Sequence, residues 1–189
     1  MYNSLSALPK APYNILTYLA KNNENLWKML KYNTYDALSQ PNLTFDEKMS
    51  MIWKSGVMED YSVFLTNIVG DAICESRNIF KCYQFYIHAN PSSYISTPVY
   101  AFDWLYGVTM ALVEKDGIPV NRGDLFVNEI LSTLNGAYIG GVGELVFNDD
   151  QSRYDIARSI IGDSKKFTGE CLYMSTLMGD SGKEISCGD

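Results

Sequence analysis

The chain has 189 residues, 15 Lys+Arg against 22 Asp+Glu for a net charge of −7, and a single histidine. At 47 % apolar and 20 % charged residues it is an ordinary globular composition, long enough for one compact domain with its own core. One histidine excludes a His-rich metal site and leaves His88 as the only imidazole for acid–base work, while a pI near 4.7 argues against general affinity for a phosphate backbone.

The first third is helical in pattern. Pro9 and Pro12 open it, Ile15, Leu16, Leu19 and Ala20 recur at helical spacing, and Leu26, Trp27 and Leu30 resume the stripe after Asn22-Asn23. Ser39-Gln40-Pro41-Asn42 breaks the chain. Thr44 followed by Glu47 then spells a capping box, with Leu43 placed to staple onto Lys48 or Met49. This predicts a helix from Phe45 to Lys54 with Gly56 as its C′ residue.

Beyond Gly56 the period changes. Val63-Phe64-Leu65 and Ile68-Val69 read as short extended segments, and Asp71-Ala72-Ile73-Cys74 as extended chain or a helical turn. Ile79 to His88 is rich in aromatic and β-branched residues and predicts a strand. Ala89 to Ser93 is a loop. Val99 to Val113 predicts a second, longer strand bent at Gly107 and closed by Glu114-Lys115-Asp116-Gly117, with Pro119 starting a loop. Asp124 is expected to cap a helix running to about Leu134, which Asn135-Gly136 ends. A glycine-bent strand pair follows over 138–147, a turn at Asn148-Asp149-Asp150, and a last strand from Gly169 to Met178. Grouped strands with helices before and between them predict an α+β fold with a mainly antiparallel sheet. The expected organisation is a single domain: a helical N-terminal extension over 1–40, an α+β core over 43–178 and a frayed tail over 179–189.

Each constellation with chemical potential has a structural reading beside it. Cys74, Cys82, Cys171 and Cys187 contain no C-x-x-C spacing, and the expectation is free thiols in a reducing compartment. Cys82 and His88 share a face of one strand but lie roughly 20 Å apart by the strand rise, too far for a nucleophile–base pair. His88 reads as a surface or interface residue. Gly140-Gly141-Val142-Gly143 precedes a strand rather than a helix, the wrong order for a phosphate loop, so a bulge or a close backbone approach is expected. Arg122-Gly123-Asp124 spells an integrin tripeptide, but helix capping accounts for Asp124. Asp46-Glu47, Glu59-Asp60 and Asp149-Asp150 are adjacent carboxylates that diverge on any one element. Lysines are dispersed, Lys165-Lys166 being the only adjacent basic pair. No stretch reaches the ~20 apolar residues of a spanning helix, and Met1-Tyr2-Asn3-Ser4 is unlike a signal peptide. No catalytic residues, metal ligands or cofactor are expected, and no membrane partner.

The 14 tyrosines stand out. Tyr83, Tyr86, Tyr94, Tyr100, Tyr106 and Tyr173 gather in the strand region, either as a tyrosine-rich sheet with its hydroxyls at the rim or as an oligomer or partner interface, since Tyr supplies rigid area with a polar tip.

From Leu43 to Phe147 the chain resembles the virion neck proteins of tailed bacteriophages: head–tail connector, head-completion and tail-terminator proteins. The stretches that carry it are Leu43-Thr44-Phe45-Asp46-Glu47-Lys48 leading to Ile52-Trp53, then Tyr61-Ser62-Val63-Phe64-Leu65. After two long strands come Asn128 to Gly136 and Ile139-Gly140-Gly141-Val142-Gly143-Glu144-Leu145. The resemblance implies a non-enzymatic subunit of a homo-oligomeric ring between portal and tail. Its partners would be itself and neighbouring neck, portal or tail proteins, with DNA passing through the lumen unheld. The expected location is the virion, and the host cytoplasm during assembly. The alternative is a small soluble protein-binding or regulatory module acting on a host protein; an enzyme would need a pocket where distant carboxylates or Cys and His converge.

Overall fold

The computed structural model describes residues 8–67, 77–88, 96–147, 158–160 and 167–176. Within them four helices, α1 (Ala11–Asn22), α2 (Glu24–Lys31), α3 (Phe45–Ser50) and α4 (Arg122–Leu134), accompany nine strands. These are β1 (Val63–Phe64), β2 (Ile79–His88), β3 (Ser96–Gly107), β4 (Leu112–Lys115), β5 (Ile118–Asn121), β6 (Tyr138–Ile139), β7 (Gly143–Val146), β8 (Arg158–Ile160) and β9 (Phe167–Thr176). The main sheet runs β1-β2-β3-β9-β7-β6, with β8 also on β9, and β4-β5 form a separate hairpin. Among these strands only β1 and β2 pair in parallel. The architecture is α+β with a mostly antiparallel sheet, as the grouping of strands predicts.

Pleating sorts the side chains of the three long strands. Phe80 and Cys82 of β2, Tyr100, Phe102, Trp104 and Tyr106 of β3, and Leu172 and Met174 of β9 join one core with the helices. The ring of Trp104 stacks on Phe126 of α4 at 5.8 Å. That core includes Ile15, Leu16 and Leu19 of α1 and Leu26, Trp27 and Leu30 of α2. The first two helices are therefore part of the body of the fold and not an appendage to it.

The helix breaks have local causes. Asn23 leaves α1 in extended geometry, and its side-chain oxygen accepts from the N–H of Leu26 at 2.8 Å, capping α2. Its amide nitrogen donates to the Glu129 carbonyl and to Thr133 Oγ1, tying the break to α4. Thr44 and Glu47 form the expected capping box. Behind it, Lys48 is buried, with Nζ 2.6 Å from Glu24 Oε2 and donating to the Ala20 carbonyl. The hydrogen bonds at Thr44 hold the Glu47 carboxyl below its ordinary pKa.

Three expectations are corrected. Helix α3 ends at Ser50, not Lys54, because Ile52 bridges Val63 and the Trp53 N–H donates to the Val63 carbonyl; Gly56, at φ +88°, serves the turn between them. The long strand stops at Gly107, and its remainder becomes the β4–β5 hairpin, turning on Asp116 (φ 55°) and Gly117 (φ 80°), a pair suited to a two-residue turn. Pro119 lies inside β5. The third correction concerns α4: Asn121 is its cap, accepting from the Asp124 N–H at 3.2 Å, so Asp124 sits in the first turn. The short strand β8 has no counterpart among the predicted elements, and the expectations for residues 68–74, 89–95, 148–150 and 177–189 lie outside the described residues.

Candidate functional site

On the face of the sheet turned away from the helices, the register builds two rows. Lys81, Asp103 and Cys171 stand opposite one another across β2, β3 and β9, and next to them Tyr83, Ala101 and Tyr173. Lys81 Nζ lies 2.7 Å from Asp103 Oδ2, with both side chains buried. The Tyr83 hydroxyl donates to the same carboxylate at 3.2 Å. A charge buried in a sheet survives only when paired and hydrogen-bonded, and Asp103 has both. Ile79 and Leu105 form the next row, closed by Phe64 and flanked by Trp53, Met58 and Tyr61.

The chemistry of this cluster is that of a sealed polar lock. Burial, and then the Asp103 charge, push the Tyr83 hydroxyl well above the usual tyrosine range. Burial, followed by the hydrogen bond with Asp103, does the same to the Cys171 thiol, and burial raises Cys82 on the opposite face. Neither thiol is poised as a thiolate nucleophile, which needs an electropositive, accessible setting. Among the described residues no group of three or more His, Cys, Asp or Glu side chains converges as a metal site, and no helix is long and apolar enough to cross a membrane. A cavity of about 500 Å³ opens beside the cluster, walled by Pro9, Pro12, Leu65, Asn67, Tyr83 and Tyr173.

The six tyrosines do not form one surface. Tyr100 and Tyr106 are buried in the core beneath the helices, because even-numbered positions of β3 face inward. That corrects the expectation for those two. Tyr83 and Tyr173, at odd positions, are half-buried on the other face and share one row. Tyr86 occupies β2 opposite Pro98, and Tyr94 lies outside the described residues. His88 ends β2 opposite Ser96, and Cys74 and Cys187 lie outside the described residues. The glycine run makes the β6–β7 turn, with Gly141 at φ +78° and Gly143 at +103°, conformations that glycine adopts freely, in place of the expected bulge or close backbone approach.

Arg122 is the residue whose role the sequence most conceals. Its side chain is fully buried, donating from Nε to the Met110 carbonyl at 2.7 Å, from Nη1 to Met29 at 3.0 Å and from Nη2 to Thr34 at 2.8 Å. Burial lowers its pKa to about 10. Three carbonyls of three different segments converge on one guanidinium, so Arg122 and the buried Gly123 belong to the core, while Asp124 lies exposed in the first turn of α4 and not on a displayed loop. The Lys81–Asp103 pair is equally hidden from a reading of the sequence. Its one signal is a single charge, of opposite sign, inside each of two consecutive apolar strands.

The family model YomW matches residues 23–176. The chain belongs to the YomW family. That is a Bacillus phage SPBc2-type protein name, which points to a phage-encoded protein. The match begins at the cap of α2 and ends with β9, so it takes in the sheet, the Lys81–Asp103 lock and the Arg122 clamp of this YomW-family chain. No curated protein and no solved structure matches it.

Proposed function

We propose that this YomW-family chain is a non-enzymatic structural subunit of a phage virion that forms a ring in the neck, as head–tail connector or tail terminator, through which DNA passes without being held. The observation that carries the reading is the phage-type family, which takes in nearly the whole described fold. The titratable groups support it. Asp103, Lys81, Tyr83 and Cys171 are engaged with one another, and Arg122 with main-chain carbonyls, so the chemistry-bearing residues hold the fold together. A net charge of −7 suits a lumen that repels DNA.

The expected result is a homo-oligomer of defined mass in solution and failure of heads to join tails in lysates that lack the protein. A purified chain that stays monomeric, together with normal joining in such lysates, overturns the reading. Capture of a single host protein in place of virion components would favour the regulatory alternative.

A further inference from the structure

Strand β1 covers little of its neighbour. It pairs with β2 only at Phe80 and Lys81, and the chain leaves the sheet at Leu65, Thr66 and Asn67. Past that point no described strand lies along the outer edge of β2, and the edge at Tyr83 and Gln84 opens into the cavity of about 500 Å³. Pro9, just before α1, and Pro12, in its first turn, also wall this cleft. The Cys82 thiol, donating to the Pro12 carbonyl at 3.8 Å, ties the helix start to the strand.

The walls are uncharged. Two phenol rings, two pyrrolidine rings and Leu65 give flat apolar surface, Gln84 and its neighbours across the cleft add polar atoms, and no Asp, Glu, Lys, Arg or His is among the described residues that line it. Burial keeps both phenols protonated, helped by the Asp103 charge at Tyr83 and by the hydrogen bond with Cys171 at Tyr173. An ion entering here would lose its water and gain no counter-charge, whereas a neutral ring gains contact with the tyrosine faces. One polar atom lacks a partner: the side-chain oxygen of Gln84 is buried and accepts no hydrogen bond from the protein. The terminal amide torsion is soft, so a small turn presents that oxygen to the cleft, where a ligand N–H would supply the missing donor. A cavity of about 150 Å³ already holds one benzene ring, so a fused bicycle fits this one with room for a substituent. Flat apolar walls with a few placed polar groups are the usual make-up of a small-molecule site.

We propose that this cleft binds a small uncharged aromatic molecule, a fused bicycle carrying an N–H group, with its ring against the tyrosine and proline walls and its N–H on the Gln84 side-chain oxygen. The polar lock behind the cleft then has a second consequence: by fixing the Tyr83 hydroxyl on Asp103, it holds that ring in place as a preformed wall. The site requires neither the ring assembly proposed above nor any catalytic step.

The test titrates the isotope-labelled full chain with indole, an uncharged bicycle with one N–H, and follows the amide resonances by NMR. Saturable shifts are expected at Leu65, Thr66, Tyr83 and Gln84. N-methylindole, which lacks the donor, should bind about fivefold more weakly, the worth of one ordinary hydrogen bond. Indoleacetamide should bind, and the indoleacetate anion of nearly the same size should not. Gln84→Met keeps the shape of the side chain without its acceptor, so in that variant indole and N-methylindole should bind alike. Thr66→Trp, whose ring would fill the cleft, should abolish the indole shifts; thermal melts check that both variants fold. No saturable indole shift at these residues of the wild type overturns the proposal, and so does equal binding within either pair of probes. A preference for indole that persists in folded Gln84→Met, or indole binding that persists in folded Thr66→Trp, overturns it as well. Should either variant fail to fold, the two wild-type comparisons decide.

Discussion

Asp103 accepts from Lys81 on one side and from Tyr83 on another, in the middle of a sheet face where all three side chains are wholly or half withdrawn from water. The attraction within such a pair roughly offsets the cost of removing both charges from solvent, so removing one partner is far worse than removing both. Lys81→Met should therefore destabilise the chain by about 3–5 kcal/mol, because it strands a buried carboxylate. The double variant Lys81→Met/Asp103→Leu should recover most of that loss. Urea unfolding of the two variants checks this; equal loss in both would mean that a stranded carboxylate is not the cause of the destabilisation. Cys171 and Tyr83 make the same point from the protonation side, as burial holds both in their neutral forms.

Among the elements, β3 and β9 approach closely at one glycine. Gly169 lies opposite Leu105, and a Cβ built there would meet the Trp104 carbonyl oxygen and, at 3.0 Å, the Leu105 Cα. These are main-chain atoms in the centre of the sheet and cannot swing aside. Gly169→Ala should thus force the strands apart at a cost of about 1–3 kcal/mol, measured as a lowered melting temperature. At Gly123, at the start of α4, the atoms a Cβ would meet are side-chain oxygens, Glu170 Oε1 and Tyr106 OH at 2.8 Å and Asn121 Oδ1 at 3.1 Å, of which Tyr106 is buried and Asn121 is engaged as the helix cap. Most elements were legible. The alternation of Ile79–His88, the capping box at Thr44 and the glycine end of α4 at Gly136 are local signals, and each element formed where its signal lay. The failures were boundaries set by partners. Val63, eleven residues beyond Ile52, ends α3 by pairing with it, and no window on α3 contains that information.

For the molecule as a whole, Arg122 joins what the chain order keeps apart. It links the start of α4 to the carbonyls of Met29 in α2, Thr34 beyond it and Met110 before the hairpin. Asn78 also donates to the Met29 carbonyl, so loss of Arg122 would leave the Met110 and Thr34 carbonyls without this donor and a cavity beside them. Arg122→Met should cost about 2–4 kcal/mol in a denaturant titration without changing the secondary-structure spectrum of the folded state. A neutral effect would show that the packing of α2 on α4 alone holds these segments.

Composition and local pattern alone determined the α+β class, the helical first third, the two long strands and the capping of α3, because each depends on residues within one or two turns of one another. Spacing alone also separated Cys82 from His88, since both lie on one strand. Tertiary structure decided which face each strand residue serves. Alternation divides Tyr100 and Tyr106 from Tyr83 and Tyr173, but which set meets the helices is chosen by what packs on the sheet. It likewise decided that Arg122 turns inward and that Lys81 meets Asp103. Both depend on groups brought together from distant parts of the chain, a proximity that exists only after folding.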